Sequence, residues 1–213
     1  MDLRLHLQTL AAAVMLGIGA GLVIFSGWGA ASFDALLVSL QDSVLGDGVS
    51  IGLISAGVAI LNFVVAYFLG FKFTLHVPIA ILGTTLGLEV VFALGVENPS
   101  FIEASVLFIS SYIFKVLSLA VLQHSRVGGG PVEAVILGVV NKFGQTELKT
   151  RLMYEATVLV IVFALSGPIG WGTFVATFIM PFSIAHTQKA LVGSRVLVFG
   201  VRPQRRIRPV RAS

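Results

Sequence analysis

The chain has no cysteine and little charge. Without cysteine there is no disulfide framework, no thiolate metal site and no cysteine nucleophile, and the redox compartment stays open. Charged residues make up 11% of the 213 positions, against about 25% in ordinary soluble domains. That is too few to clothe a domain for water, so soluble enzyme folds are largely excluded. Their motifs are missing too: there is no Gly-x-x-x-x-Gly-Lys-Ser/Thr loop, no dinucleotide fingerprint behind a strand, no His/Glu metal helix and no nucleophile elbow. The expectation is of a non-enzyme, with no catalytic residue, no metal and no cofactor.

What is present is apolar. Hydrophobic residues reach 56%, and the mean hydropathy is +0.98. A helix crossing a bilayer needs about 20 mostly apolar residues, and six segments meet that test, at about 8–27, 50–69, 74–95, 102–123, 149–167 and 169–190. Arg4 and the small residues Gly29, Ala30 and Ala31 give the first run some likeness to a secretory signal. Its length and the five runs that follow favour a span.

Two shorter stretches, 31–45 and 131–143, are each opened by glycines: Gly27 and Gly29 before one, Gly128, Gly129 and Gly130 before the other. About 13 to 15 residues of helix reach some 20 Å, short of a core about 30 Å thick. They read as re-entrant half-helices. If both crossed, the count would be eight.

Charge placement favours six. Cytoplasmic loops carry the Lys/Arg excess. With six spans, Arg4, Lys72, Arg126, Lys142, Lys149, Arg151, Lys189 and the C-terminal stretch share one side, while the other holds Asp42, Asp47, Glu97 and Glu103. The expected localisation is the cell membrane, multi-pass, with both termini cytoplasmic.

The chain can also be laid on itself. Residues 29–37 and 129–136 share a glycine, a short turn, a carboxylate (Asp34 or Glu133), an alanine and aliphatics. Each copy is preceded by one span and followed by two. Three spans is an odd number, so the second copy enters from the opposite side, giving an inverted-topology repeat. The expected architecture is an all-α membrane protein: a first repeat at 1–97, a second at 98–192 and a basic tail at 193–213. In such folds the broken elements meet near the midplane, where helix N-termini present free N–H groups to a small solute.

These segments also resemble a known family. Gly27-Trp28-Gly29-Ala30-Ala31-Ser32-Phe33-Asp34-Ala35-Leu36 with Val49-Ser50-Ile51-Gly52 is similar to segments of the bacterial YczE/YitT-like integral membrane proteins. In the second half, Gly130-Pro131-Val132-Glu133, the run Arg151 to Leu159, and Gly167-Pro168-Ile169-Gly170-Trp171-Gly172-Thr173 follow that family's order and spacing. The resemblance, over about residues 9–190, implies a bacterial inner-membrane protein and brings little chemistry with it.

An ionisable side chain within a membrane costs about 2.5 to 3.5 kcal/mol on insertion scales, so each needs a reason. Lys115 and Glu155 fall at similar depth, roughly 9 to 12 Å from the cytoplasmic ends of their spans. They are natural partners, although Arg151 also stands four residues before Glu155, a spacing that makes a local bridge while Lys115 snorkels. Asp34 and Glu133, one turn into the half-helices, read as caps of free N–H groups or as cation or proton ligands. Glu89, some 15 residues from the cytoplasmic end of its span, reads as a buried protonated carboxyl or a proton-coupling group. His76 and His186 read as interfacial, Asn62 as a bond across helices, and Gly17 and Gly21 as a close helix contact.

The sequence pI near 9.8 would suggest nucleic acid. However, Arg195, Arg202, Arg205, Arg206, Arg208 and Arg211 all lie near the C-terminus, where they suit anionic lipid and fix topology. The partners expected are the lipid bilayer, a small solute and a coupling proton or ion, with no nucleic acid. The first reading of function is a secondary transporter or exporter acting by alternating access. A non-transporting accessory or scaffolding protein is the second, and a channel the third.

Overall fold

A computed structural model describes residues 3–46, 48–71, 74–96, 98–124 and 130–193, with backbone alone at 123, 124, 192 and 193. Gly128, Gly129, Lys72, Arg126, Asp47, Glu97 and the basic stretch from Ser194 onward lie outside the described residues.

All regular structure among the described residues is helical. The elements are α1 (Leu3–Phe25), α2 (Ser32–Leu40) prolonged by a π-helical turn (Gln41–Leu45), α3 (Ile51–Phe68), α4 (His76–Leu94), α5 (Phe101–His124), α6 (Pro131–Phe143) and α7 (Glu147–Ala164). A short α8 (Trp171–Phe174) then passes through a second π-helical turn (Val175–Ile179) into α9 (Met180–Gly193). Local chemistry sets several starts. Ser50 and Thr146 accept hydrogen bonds from the backbone N–H groups of Leu53 and Lys149. Ser100 and Glu103 cap α5 reciprocally, and Pro131 opens α6 where its missing N–H costs nothing. In the last helix Pro181 has no N–H to give the carbonyl of Thr177, and the turn before it widens.

Four helices, Leu3–Phe25, Ile51–Phe68, His76–Leu94 and Phe101–Leu122, are long and apolar enough to cross a membrane. Two expected spans fall short for identifiable reasons. In α7 the first turns carry Glu147, Lys149, Arg151 and Glu155, and the final segment is divided at its π turn. Both still present large apolar side chains outward, with Phe163 78% and Trp171 82% exposed. Leu53, Leu61, Phe68, Leu94, Ile102 and Ile109 are exposed likewise. Apolar surface of this extent marks a membrane-embedded protein.

Helix directions follow from the contacts. Along α1 and α4, Ala13 meets Gly83, Val14 and Gly17 meet Gly87, and Gly21 meets Val91. The two helices are therefore parallel. A Cβ at Gly17 would run into the Thr84 carbonyl oxygen and one at Gly87 into that of Val14, so glycine is what lets these backbones touch. Gly17 and Gly21 pack inside the chain on α4, Gly17 beside Gly87 and Gly21 on Val91, and α4 brings its own Gly83-x-x-x-Gly87, which hydropathy alone does not mark as a contact. By contrast α3 runs against α4, with Gly52 beside Glu89 at one end and Ala66 with Val77 at the other. α3 therefore runs opposite to α1 as well, and starts at the end of the bundle where α1 finishes.

The second half behaves similarly. α5 runs against α1, Gly19 meeting Ser111 and Lys115 while Arg4, Leu7 and Gln8 share a groove with Leu117, Ser118 and Val121. α8 and α9 run with α5, since Gly172 meets Phe108 and Met180 and Ile184 pack with Val116 and Leu119. The short helices pack across the halves. α2 lies parallel to α7, with Ala35 among Val158 and Val162 and the Ser43 hydroxyl donating to the Leu165 carbonyl at 2.9 Å. α6 lies parallel to α3, with Ala134 beside Phe63 and Ala66 and Gly138 against Leu69.

Candidate functional site

The starts of α2 and α6 open on one interior cavity of about 90 Å³, lined by Leu16, Ala31, Asp34, Pro131, Glu133 and Glu155 among others. That is room for several waters or a small solute. Its remaining walls are mostly apolar: Ala20, Phe33, Leu37 and Leu88 on one side, Leu119, Ala176 and Met180 on the other.

The charges inside it are organised in pairs. Lys115 of α5 donates to Asp34 Oδ2 of α2, and Arg151 Nη2 of α7 donates to Glu133 Oε1 of α6 at 3.0 Å. All four side chains are buried. Asp34 and Glu133 each occupy the third position of a short helix, where a carboxylate also favours the positive dipole end. The Glu133 carboxylate reaches back to Gly130 as well. Neither helix has a capping hydrogen bond from its N-cap side chain.

Several sequence expectations change here. The Lys115–Glu155 pair does not form: both reach the cavity, but Lys115 takes Asp34, and Glu155 accepts a hydrogen bond from the Ser32 hydroxyl. The Arg151–Glu155 surface bridge does not form either, because the face of α7 that carries Arg151 turns inward and leaves it 7% exposed. Arg151 therefore leaves the set of topology-marking surface cations. Glu155 faces the charges of Arg151, Asp34 and Glu133 yet makes no ion pair among the described residues.

Glu89 is not in the cavity. It sits five residues before the end of α4, against Gly52 at the start of α3, where a carboxylate favours the helix N-terminus. The glycines of the first re-entrant segment also behave differently from expectation. Gly29 (φ +96°) packs on Gly170 and Thr173, and the Gly172 N–H donates to the Trp28 carbonyl at 2.7 Å. This loop is clamped to the start of α8 instead of facing a solute. Gly27 (φ +66°) has open space around it, and of the second glycine set only Gly130 is described, as the N-cap of α6.

Other polar groups join the halves. The Tyr154 hydroxyl donates to Asn62 Oδ1 at 3.0 Å, and Asn62 donates to the Val58 carbonyl. His6 and His76, at the matched ends of the parallel α1 and α4, bring their Nδ1 atoms to 3.1 Å. The sequence spacing of 70 residues gave no sign of that contact. No group of three or more His, Cys, Asp or Glu suited to a metal occurs among the described residues.

No family profile matches the chain, and no solved structure does. A curated protein of Bacillus subtilis (strain 168), described as "Uncharacterized protein YyaS", is similar to it at 27% identity over 177 residues, covering 75% of this chain and 80% of that protein.

Proposed function

We propose that the protein is a secondary transporter of a small solute, built as two inverted-topology repeats of three spans, each with a re-entrant half-helix. Support comes from helix direction. In the first half α1 and α4 are parallel and α3 opposed, and in the second α5 and the α8–α9 helix are parallel and α7 opposed, since Phe108 early in α5 packs on Val158 and Val162 while Lys115 further along shares the cavity with Glu155 and Arg151. Were α2 a crossing, α1 and α4 would be antiparallel. Each half-helix packs on the opposed helix of the other half and starts at the shared cavity, the arrangement expected of a midplane site between rocking repeats.

The observation that carries the reading is the cavity itself. Two buried ion pairs and a further carboxylate are costly in a membrane interior, and such groups mark solute and ion pathways. α7, with its charged face toward the cavity and Phe163 outward, and the α8–α9 helix serve as the fifth and sixth spans. Orientation follows from the Lys/Arg excess, which puts the α3–α4 and α6–α7 turns on the cytoplasmic side of a bacterial inner membrane.

Screening small solutes for thermal stabilisation of the detergent-purified protein, followed by flux measurements in proteoliposomes, tests this function. Asp34→Asn and Glu133→Gln are expected to abolish flux while the protein still inserts. Full flux in both variants returns these carboxylates to helix capping. Cysteine-accessibility mapping that found residues 31–45 crossing completely would overturn the architecture.

A further inference from the structure

Among the described residues, the cavity holds three carboxyl groups and two cations. Lys115 is taken by Asp34 and Arg151 by Glu133, which leaves Glu155 with only the Ser32 hydroxyl as a hydrogen-bond donor. Among the described residues, the other elements lining the cavity bring no further cation: α1 contributes Leu16 and Ala20, α3 Ser55 and Ala59, α4 Ile81, Thr84 and Leu88, and the last helix Ala176, Met180 and Pro181. The titratable or charged groups facing Glu155 are thus Asp34 from α2, Lys115 from α5, Glu133 from α6, and Arg151 and Tyr154 from α7 itself. The N-termini of α2 and α6 each add a partial positive charge that fades within the first turn, and Asp34 and Glu133 already face them.

A cavity walled by hydrocarbon tolerates a net charge poorly. Two occupancies leave it neutral: a proton on Glu155, or an ionised Glu155 beside one bound monovalent cation. A small anion would instead make a second uncompensated negative charge, or would need one of the existing pairs to be broken. The walls choose between kinds of cation. An alkali ion seeks several oxygen ligands, whereas the oxygens around Glu155 are already engaged, Ser32 as its hydrogen-bond donor and Asp34 and Glu133 in their ion pairs, and most of the remaining lining is Leu, Ala, Phe, Met and Pro. A substituted ammonium places its charge on the carboxylate and its methyl groups on such walls.

Resting on the transporter reading and giving it a substrate class, we propose that the cavity binds a small organic ammonium ion at Glu155 in exchange for one proton. On binding, the proton leaves a Glu155 carboxyl oxygen for water and the ammonium takes its place, so no net charge enters the cavity. The Ser32 hydroxyl is a positioning group that holds the carboxylate toward the ligand at the start of α2.

Tetramethylammonium chloride is a suitable probe, since it carries no proton of its own and any proton released comes from the protein. In weakly buffered detergent solution, binding is expected to release about one proton per cation. Wherever free Glu155 holds its proton, the dissociation constant is expected to fall about tenfold for each unit by which the pH is raised. Glu155→Gln should weaken binding by about a hundredfold or more and abolish proton release. Ser32→Ala, which keeps the carboxyl, should still bind and release a proton with a shifted pH profile, and it serves as the informative variant if Glu155→Gln does not fold.

Equal binding and proton release by folded Glu155→Gln would overturn the proposal, as would stabilisation by sodium chloride matching that by tetramethylammonium, or binding of acetate with proton uptake. Tetramethylammonium binding with proton release but no flux of any solute would leave the site intact and refute transport. Flux of another solute with no ammonium binding would do the reverse.

Discussion

Lys115 and Asp34 are 81 residues apart in sequence and touch inside the protein. Removing one partner of a buried pair strands the other charge, and Lys115→Met alone should destabilise the fold by about 3–5 kcal/mol. The double variant Asp34→Asn with Lys115→Met should regain most of that stability, because no lone charge remains, and yet should not regain flux. Thermal unfolding in detergent beside a flux assay separates the two effects. Glu89→Gln should leave flux unchanged, since that carboxylate faces Gly52 outside the cavity; loss of flux in a stable Glu89→Gln protein would bring it back among the pathway residues. The sequence could say that Lys115, Asp34, Glu133 and Glu155 each needed an explanation within a membrane. It could not pair them, because depth along a helix was readable and the direction of each face was not. Arg151 illustrates the gap: its spacing to Glu155 suits a surface bridge, and only the packing of α7 on α2 and α6 turns it inward.

At the scale of elements, the two short helices α2 and α6 were the most legible part of the fold. Their short length and glycine or proline openings are local signals, and the stretch read as 131–143 is the helix Pro131–Phe143. The π-helical turns were not legible, since a widened turn depends on what packs around it; Pro181 was the one local hint. The α1–α4 contact gives a graded test. Gly17→Val pushes side-chain carbon into the Thr84 backbone and should cost about 1–3 kcal/mol or more, read as aggregation or lost monodispersity. Gly57, on α3, has nothing within 4 Å of where a Cβ would stand, and it should accept alanine and gain about 0.5–1 kcal/mol. Equal damage from both substitutions would mean that the close approach of α1 and α4 is not what requires glycine.

For the whole molecule, the proposed architecture makes a topological prediction that the absence of native cysteine makes easy to read. Single cysteines replacing Gly48 and Glu103 should label from one face of the membrane, and those replacing Thr74 and Gln145 from the other. Labelling of positions 48 and 74 from the same face would contradict it. Hydropathy alone gave the membrane class and the rough place of every long helix, because apolar length is a local property. Which helices run parallel lay beyond it, since that depends on long-range contacts such as Gly17 with Gly87. The ion pairs carry one more consequence, for biosynthesis. Glu133 and Arg151 are 18 residues apart and can meet almost as soon as they are made, whereas Asp34 enters the bilayer long before Lys115 exists. A lone carboxylate at that depth is penalised by about 2.5 to 3.5 kcal/mol, so α2 has reason to wait at the surface until α5 arrives. A ribosome-bound chain stalled after α4 should therefore expose the helix Ser32–Leu40 to protease, and the release of α5 should protect it.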